Sequence, residues 1–406
     1  MPTFSASNFG CRLNQAETSL WIQRLQEAGW TFLPSWKGSD YLLINGCTLT
    51  QRADAEIRRF IRQVRKGSPR TRLVVAGCFV HTHQTFLSDE GVDLVFPNEA
   101  KDSLPETLIS APAAPLSTPT PTLARGFLKI NDGCDYRCRY CIIPSVRGPA
   151  RSLAEEAVEE RLRQLLRLGH REIVVTGINI LTYRREEGVD EGFLRLLERL
   201  LALSPSFYLR LTSLDPRAFS PRLAGFLVSE PRVAAHFHLS LQNGSPKILR
   251  AMGRPEEADR YSRILSLLAK KEDRLLAADY IVGFPGEGEE EFQEGLAFLE
   301  GSPLDYLHIF PYSPRPGTPA ALLKRPHSAS VKERVQRLRR FHEERFSLFC
   351  RREVGRVLKG VIIRAGEVLT ENYMEVQVGK EISTEREGVF VEMTGVGRGK
   401  ILSLLP

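Results

Sequence analysis

The stretch GCDYRCRYC, residues 133–141, places three cysteines within eight residues, directly after the apolar strand-like run GFLKIN. Three thiolates at Cys-x-x-x-Cys-x-x-Cys spacing can bind three irons of a [4Fe–4S] cluster, and without a fourth cysteine nearby one iron stays open to another ligand. A structural zinc site instead prefers paired Cys-x-x-Cys knuckles and a fourth protein ligand. The spacing therefore favours a cluster on Cys134, Cys138 and Cys141 over a zinc site.

Six strand-like runs alternate with helix-like runs around and after this loop. The strand-like runs are GFLKIN, EIVVTG, YLRLTS, HFHLSL, LAADYIVGF and YLHIF, and the helical ones lie near residues 152–168, 191–203, 219–229, 257–270, 288–300 and 330–350. Ser152 followed by Glu155 predicts a capping box at the first helix. Six successive βα units predict a partial barrel, smaller than the closed eight-unit form.

The flanking regions have different patterns. Residues 1–110 alternate the apolar runs FSASNF, YLLIN, RLVVAG and VDLVF with helical stretches, which predicts an α/β domain with a parallel sheet. Residues 111–123 are rich in Pro, Ser and Thr and are predicted to be a linker. Four strand-like runs in residues 351–406 predict a small all-β barrel. The predicted domains are therefore 1–110, 124–350 and 351–406.

Three further cysteines follow strand-like runs of the N-terminal region. Cys11, Cys47 and Cys78 each come directly after a glycine and are separated by 36 and 31 residues. Because the carboxyl ends of parallel strands meet at one edge of a sheet, the three thiols are expected to converge there. Any one of them alone would be read as an ordinary buried cysteine, but together they indicate a second cluster. The seventh cysteine, Cys350, is predicted to be a helix-packing thiol.

Composition limits the class of protein. The chain has 406 residues, 42% hydrophobic and 26% charged, which excludes disordered, collagenous and coiled-coil classes. No apolar run approaches the roughly 20 residues of a membrane span, and the N-terminus lacks a leader pattern, so a cytosolic location without membrane attachment is expected. The net charge of +7 fits a polyanionic partner, as do eight basic residues against two acidic ones in 52–72 and eight against three in 332–352. Such runs are, however, usually solvated faces.

Motifs spread over the whole chain resemble the radical S-adenosylmethionine (SAM) methylthiotransferase family. They are GCRLNQAE at 10–17, NGCTLT at 45–50, AGC at 76–78, GPARS at 148–152, TGIN at 176–179, HLSLQ at 238–242, IVGFPG at 281–286 and FPYSPRPGT at 310–318. The C-terminal region is similar to the family's TRAM domain, an RNA-binding barrel. The first and last of these motifs are most like the branch that acts on N6-threonylcarbamoyladenosine beside the tRNA anticodon. Sister branches act on isopentenyladenosine in tRNA and on an aspartate of a ribosomal protein.

The resemblance implies two [4Fe–4S] clusters and two uses of SAM. SAM bound to the cluster on Cys134, Cys138 and Cys141 would give the radical that removes hydrogen from carbon 2 of the adenine. The auxiliary cluster on the N-terminal cysteines would deliver sulfur, and a second SAM the methyl group. No side chain is expected to act as a catalytic group beyond the clusters. Implied partners are tRNA, an electron donor such as flavodoxin or ferredoxin, and a sulfur source.

The resemblance also implies a set of SAM-binding residues. Tyr140 matches the aromatic position that packs near the adenine of SAM, and five residues at the ends of barrel strands are expected to line the SAM pocket: Thr176, Gly177, Asn179, Ser213 and Gln242. The alternative for any of these five is strand-end capping or turn chemistry. Two positions, His81 and Asn243, depart from the usual family motifs. Both lie near loops with a proposed function, so they bear on the identity of the substrate.

Several other residues have open roles at this point. Arg315 could reach a phosphate or a carboxylate, or serve as a helix cap or solvated group. His236 and His238 are expected to pack rather than to bind a ligand, and Tyr373 and Phe390 could stack on bases unless they are core residues. Two alternatives to a tRNA enzyme stay open: a methylthiotransferase that acts on protein, and a non-enzymatic iron–sulfur protein that binds RNA or transfers electrons.

Overall fold

The computed structural model describes residues 1–109, 124–254, 258–379 and 387–405. Its N-terminal part is a five-stranded parallel sheet in the order β2-β1-β3-β4-β5. The elements are β1 Thr3–Phe9, α1 Arg12–Glu27, β2 Thr31–Phe32, β3 Tyr41–Gly46, α2 Gln51–Gly67, β4 Arg72–Ala76, α3 Cys78–Thr82, α4 Gln84–Asp89, β5 Leu94–Phe96 and α5 Leu104–Ile109. This confirms the predicted parallel α/β sheet; the two-residue β2 was not predicted. The predicted linker, 111–123, lies outside the described residues.

The apolar runs of the sheet strands are buried on both faces. One core, which includes Phe4, Trp21 and Leu43, lies under α1, and the other, which includes Leu42, Ile57 and Ile61, lies under α2. Helix α2 is capped by Thr50, whose side chain accepts a hydrogen bond from the Ala53 amide. With both faces covered, the sheet can present polar residues only at its edges.

The central part contains six parallel strands in sequence order. β6, β9 and β10 form one triplet, β11, β12 and β13 form another, and two isolated parallel bridges, Leu209–Val233 and Leu214–Leu239, join the region of β10 to that of β11. The elements are β6 Gly126–Lys129, β7 Asn131–Asp132, α6 Ile143–Arg147, β8 Arg151–Ser152, α7 Glu155–Arg167, β9 Glu172–Thr176, α8 Glu191–Ala202, β10 Tyr208–Leu211, α9 Pro221–Ser229, β11 His236–Gln242, α10 Pro246–Ala251, α11 Ala258–Leu268, β12 Leu275–Val282, α12 Glu289–Glu300, β13 Tyr306–Pro311 and α13 Ser328–Arg352. The predicted partial barrel of six βα units is confirmed.

The predicted capping box at the first barrel helix was wrong. Helix α7 begins at Glu155 after Ala154, which provides no side-chain cap. Ser152 lies in the short strand β8, which pairs with β7, and its hydroxyl accepts a hydrogen bond from the Arg184 amide at 2.8 Å. The motif matched in spacing, but pairing with β7 holds Ser152 away from the helix end.

The C-terminal part is a closed five-stranded barrel in the order β14-β15-β16-β18-β17, as predicted. Its strands are β14 Val357–Arg364, β15 Glu367–Thr370, β16 Glu375–Gln377, β17 Gly388–Gly395 and β18 Arg398–Leu404. Its core continues into α13 through Phe349 and Cys350, so Cys350 is a packing thiol, as predicted. In the described part of the chain, no helix is long and apolar enough to cross a membrane.

Candidate functional site

The cysteine loop lies at the carboxyl ends of the central strands, where Cys134, Cys138 and Cys141 line a pocket of about 330 Å³. The loop begins at Gly133, which has a φ of +72°; a Cβ there would overlap the Pro149 carbonyl oxygen. The Cys134 amide donates to the Gly148 carbonyl at 3.1 Å, and the Cys141 amide donates to the Cys138 carbonyl at 3.0 Å. Backbone bonds of the loop thus hold the three thiols at one wall of the pocket.

The chemistry of these thiols fits metal ligands. Burial raises the pKa of the Cys141 thiol to about 12, and burial also raises that of Cys134. Thiols in such a place become thiolates when a metal binds them. Within the described ranges, no three His, Cys, Asp or Glu side chains are grouped to hold a single metal ion. A cubane cluster does not need such a group, because each cysteine binds a different iron.

Four of the six predicted SAM-binding residues line this pocket: Tyr140, Asn179, Ser213 and Gln242. Thr176 and Gly177 do not line it. The Thr176 carbonyl accepts a hydrogen bond from the Ile130 amide, and a Cβ on Gly177 would overlap Asn131 Oδ1. Thr176 and Gly177 therefore make packing contacts at the end of the strand. This is the alternative role that was predicted for them from the sequence.

Four charged residues that line the pocket were missed from the sequence: Asp215, Arg217, Arg254 and Asp279. Asp215 accepts hydrogen bonds from Arg217 at 2.6 Å and from Arg254 at 3.1 Å. Arg217 Nη2 lies 3.6 Å from Cys138 Sγ, and the guanidinium stacks over Tyr136 at 3.8 Å from the ring centroid. A cation at this distance favours thiolate ligands and an anionic cluster. The only sequence signal is the short run LDPR at 214–217 after β10, which resembles an ordinary turn.

The second cysteine set lies at the edge of the N-terminal sheet. β1 and β3 pair in register through Phe9 and Gly46, and a Cβ on Gly10 would lie only 2.9 Å from Cys47 Cβ. Burial, reinforced by the charges of Cys11 and Cys78, raises the pKa of the Cys47 thiol to about 12. The structure therefore brings together three cysteines that are separated in sequence.

Cys78 contacts two donors that come from different parts of the chain. Arg147 Nε donates to Cys78 Sγ at 3.1 Å, and Asn98 Nδ2 lies 3.4 Å from the same sulfur. Arg147 follows the cysteine loop of the central barrel by six residues, so a side chain from the barrel supports a thiol of the sheet. Hydrogen bonds of this kind stabilise a metal-bound thiolate.

Arg147 belongs to a buried cluster of five charges. Its Nη1 lies 3.2 Å from Glu17 and 2.9 Å from Asp132. Lys101 Nζ lies 2.7 Å from Glu17, and Lys129 Nζ lies 2.9 Å from Asp132. Burial opposes ionisation of Glu17, but these cations lower its pKa to about 2. Three cations face two carboxylates, and a thiolate at Cys78 balances the remaining positive charge, so the site fits a thiolate-bound cluster.

A second contact joins the sheet to the barrel. Arg315, in the loop after β13, is buried, and its Nη2 donates to Thr48 and Asp54 at 2.7 Å each. Of its open roles, the structure therefore supports contact with a carboxylate. Leu49 and Thr50, which follow Cys47, line the same pocket as the cysteine loop. The pocket is thus formed by residues that neighbour both cysteine sets.

The remaining residues of interest lie away from the pocket. His81 Nε2 lies 3.1 Å from Glu99, and Asn243 is buried in a turn, where its Oδ1 accepts from the Ser245 amide. His236 stacks on Tyr373 with ring centroids 4.5 Å apart, which agrees with the packing predicted for His236. The Tyr373 hydroxyl accepts from Arg12 at 2.6 Å, so this ring is used in a contact between domains rather than presented to a base.

His238 lies two residues further along the same strand and is partly buried. Its Nε2 is 2.8 Å from Asp279, which lines the pocket, and its ring stacks on His308 at 4.8 Å. Its partners are therefore side chains of the neighbouring strands, in agreement with the expected packing role.

Comparison with known proteins agrees with this geometry. Residues 128–299 match the Radical SAM superfamily, and residues 3–97 match the uncharacterized protein family UPF0004. The threonylcarbamoyladenosine tRNA methylthiotransferase of Aquifex aeolicus is 32% identical over 91% of this chain and 94% of its own length. The chain belongs to the radical SAM methylthiotransferase family. It is therefore a radical SAM transferase, and the family's cofactors are two [4Fe–4S] clusters and SAM.

Other relatives of this methylthiotransferase carry different substrate names. The ribosomal protein uS12 methylthiotransferase of Roseiflexus castenholzii is 30% identical over 93% of this chain and 86% of its own. Among solved structures, the radical SAM methyltransferase TsrM from Kitasatospora setae aligns with a TM-score of 0.59 over 79% of this chain and 77% of its own. At 14% identity, that likeness shows the fold alone.

Proposed function

We propose that this methylthiotransferase adds a methylthio group to carbon 2 of N6-threonylcarbamoyladenosine beside the tRNA anticodon. The observation that carries the proposal is that one pocket is lined both by Cys134, Cys138 and Cys141 and by Leu49 and Thr50, which closely follow Cys47 in the chain. A nucleobase in this pocket lies beside both sets. The motifs at 10–17 and 310–318 and the name of the Aquifex aeolicus relative support this branch.

In this proposal each cysteine set holds one cluster. Cys134, Cys138 and Cys141 hold the cluster that binds SAM, and Cys11, Cys47 and Cys78 hold the auxiliary cluster that carries the sulfur. When bound, the reduced cluster with SAM supplies the one-electron chemistry needed to break an unactivated C–H bond.

The other pocket residues bind and orient in this proposal. Tyr140, Asn179, Ser213 and Gln242 contact SAM, and Thr176 and Gly177 support the wall behind Asn179. Arg217 and Arg147 each bring a cation to one cysteine set, at 3.6 Å from Cys138 and 3.1 Å from Cys78. The remaining partners are an electron donor such as flavodoxin or ferredoxin and a sulfur source, which together with tRNA make the cytosol the site of reaction.

The test is reaction of anaerobically reconstituted protein with three substrates. These are tRNA that carries N6-threonylcarbamoyladenosine, tRNA that carries isopentenyladenosine, and a ribosomal protein of the type used by the sister branch. The expected result is a nucleoside heavier by one SCH2 unit from the first substrate alone. Modification of another substrate in place of the first would assign the protein to the corresponding sister branch. SAM cleavage without modification of any of the three would overturn the proposal.

A further inference from the structure

A second cavity opens next to the pocket, and we call it the basic groove. It has a volume of about 870 Å³ and lies between the end of β13, the segment before α13 and the first three turns of α13. Its charged lining residues are Arg325, Lys332 and Arg339, and no Asp or Glu is among its described lining residues. None of the functions assigned above uses it.

The three cations of the basic groove are exposed and have no ion-pair partner within the described ranges. Lys332 and Arg339 are seven residues apart on α13 and so share one face of the helix. By contrast, Arg334 and Arg337 on the adjoining face are paired with carboxylates of the α12 region, Arg334 with Glu287 at 2.9 Å and Arg337 with Glu289 at 3.1 Å. Helix α13 therefore presents neutralised cations to the barrel and free cations to the groove.

The basic groove adjoins the pocket. Pro311 and Tyr312 line both cavities, and the Tyr312 hydroxyl is buried without a hydrogen-bond partner among the described residues. A polymer that places one unit in the pocket can therefore lay its neighbouring units along the groove. Val331 and Val335 form an apolar floor beneath the cations.

We propose that the basic groove binds the sugar–phosphate backbone of the RNA strand whose base enters the pocket. Three free cations without a carboxylate suit a chain of phosphodiesters. Phosphate contacts dominate the affinity of proteins for nucleic acids. This inference rests on the proposed function, because it takes tRNA to be the substrate.

The test compares two triple variants with the same change in net charge. The groove variant is Arg325→Gln, Lys332→Gln and Arg339→Gln, and the control is Lys324→Gln, Arg340→Gln and Arg351→Gln, three exposed cations that do not line the groove. Binding of tRNA is measured by fluorescence anisotropy from low to moderate salt. With about 0.7 counterions released per phosphate of a single strand, the groove variant is expected to lose about 2 from the slope of log K against log salt. Its affinity should fall about tenfold at low salt, and that of the control less than threefold.

Further readouts separate a binding role from loss of the fold. The groove variant should keep its iron content and its cleavage of SAM without RNA, and should show a raised KM for tRNA with kcat nearly unchanged.

Equal salt slopes and affinities for the two variants would overturn the groove proposal. Loss of binding to a poly-glutamate peptide, with tRNA affinity equal to the control, would assign the groove to an acidic protein and also overturn it. If the wild type modifies tRNA while the groove variant behaves as the control, the groove proposal fails alone. If the wild type neither binds nor modifies tRNA, both proposals fail.

Discussion

Cys134, Cys138 and Cys141 come from one loop of nine residues, whereas Cys11, Cys47 and Cys78 come from the ends of three strands separated by 36 and 31 residues. The first set lines an open pocket, and its nearest cation, Arg217, lies 3.6 Å from Cys138. The second set is partly supported by the other domain, since Arg147 of the barrel donates to Cys78 at 3.1 Å. The loop site therefore depends on local backbone hydrogen bonds, whereas the sheet site depends on contact with the barrel.

The largest effect is expected when all three cysteines of either set are replaced. Replacing Cys11, Cys47 and Cys78 by Ala should reduce the iron of the reconstituted protein from about eight to about four per chain. This variant should still cleave SAM but transfer no methylthio group, whereas replacing Cys134, Cys138 and Cys141 should abolish both reactions. Iron and acid-labile sulfide analysis measures the first effect. About four irons in both wild type and the first variant would refute the auxiliary site.

Replacement of Arg147 should weaken the sheet cysteine set and leave the loop set intact. Arg147→Gln leaves Glu17 and Asp132 with fewer partners in a buried place, which typically costs about 3–5 kcal/mol in the free energy of unfolding. Denaturant titration should show this loss, and iron should fall toward the content of one cluster. Arg217→Gln, at the loop site, should keep both clusters, and the exposed Arg151→Gln should change neither quantity. Equal iron loss in the Arg147 and Arg217 variants would contradict the contrast between the sites.

Replacement of Arg315 tests whether the contact between the sheet and the barrel is needed for methylthio transfer. Arg315→Leu leaves the buried Asp54 carboxylate with one cation fewer, so the unfolding free energy should fall by about 3 kcal/mol. SAM cleavage should persist because the barrel pocket keeps its cysteine loop, while methylthio transfer should fall at least tenfold. Asp54→Asn should give a similar loss, and the double variant little more than either single change, because the two residues form one contact. Additive losses would show that the contact between sheet and barrel is not the cause.

The charge cluster between the two sites predicts a dependence of stability on pH. The pKa of Glu17 is about 2 in the folded protein, below its ordinary value of 4.5. Its contribution is therefore present above about pH 4.5 and is lost as the pH falls toward 2. That contribution is roughly 3 kcal/mol and should be missing from the pH profile of Glu17→Gln. Urea titrations of the cluster-free protein at several pH values measure it; parallel profiles for the wild type and variant would count against this account.

The smallest effect is expected at His81. It pairs with the largely exposed Glu99 and does not line the pocket, so His81→Gln should change stability by less than about 1 kcal/mol. Methylthio transfer should stay within about twofold of the wild type. A change of preferred substrate in this variant would show that the residue acts on the pocket from outside.

Much of the site follows from local pattern. The Cys-x-x-x-Cys-x-x-Cys loop, the glycines before the three sheet cysteines and the six βα units could be predicted because each depends on nearby residues or on the period of a strand or helix. Asp215, Arg217 and Arg254 could not be predicted, because their significance arises from a hydrogen-bonded group assembled from separate parts of the barrel. Ser152 shows the opposite error, where a valid local motif was overridden by strand pairing.

Residue type, spacing and periodicity predicted cluster chemistry for the cysteines and the three kinds of fold, and the motifs pointed to the family through their resemblance to it. The folded chain adds which predicted residues reach the pocket, that Thr176 and Gly177 do not line it, that Arg147 and Arg315 join the sheet to the barrel, and that a groove with free cations adjoins it. The physical reason is that a buried charge is stabilised by whichever opposite charge folding brings near, and spacing along the chain does not specify that partner.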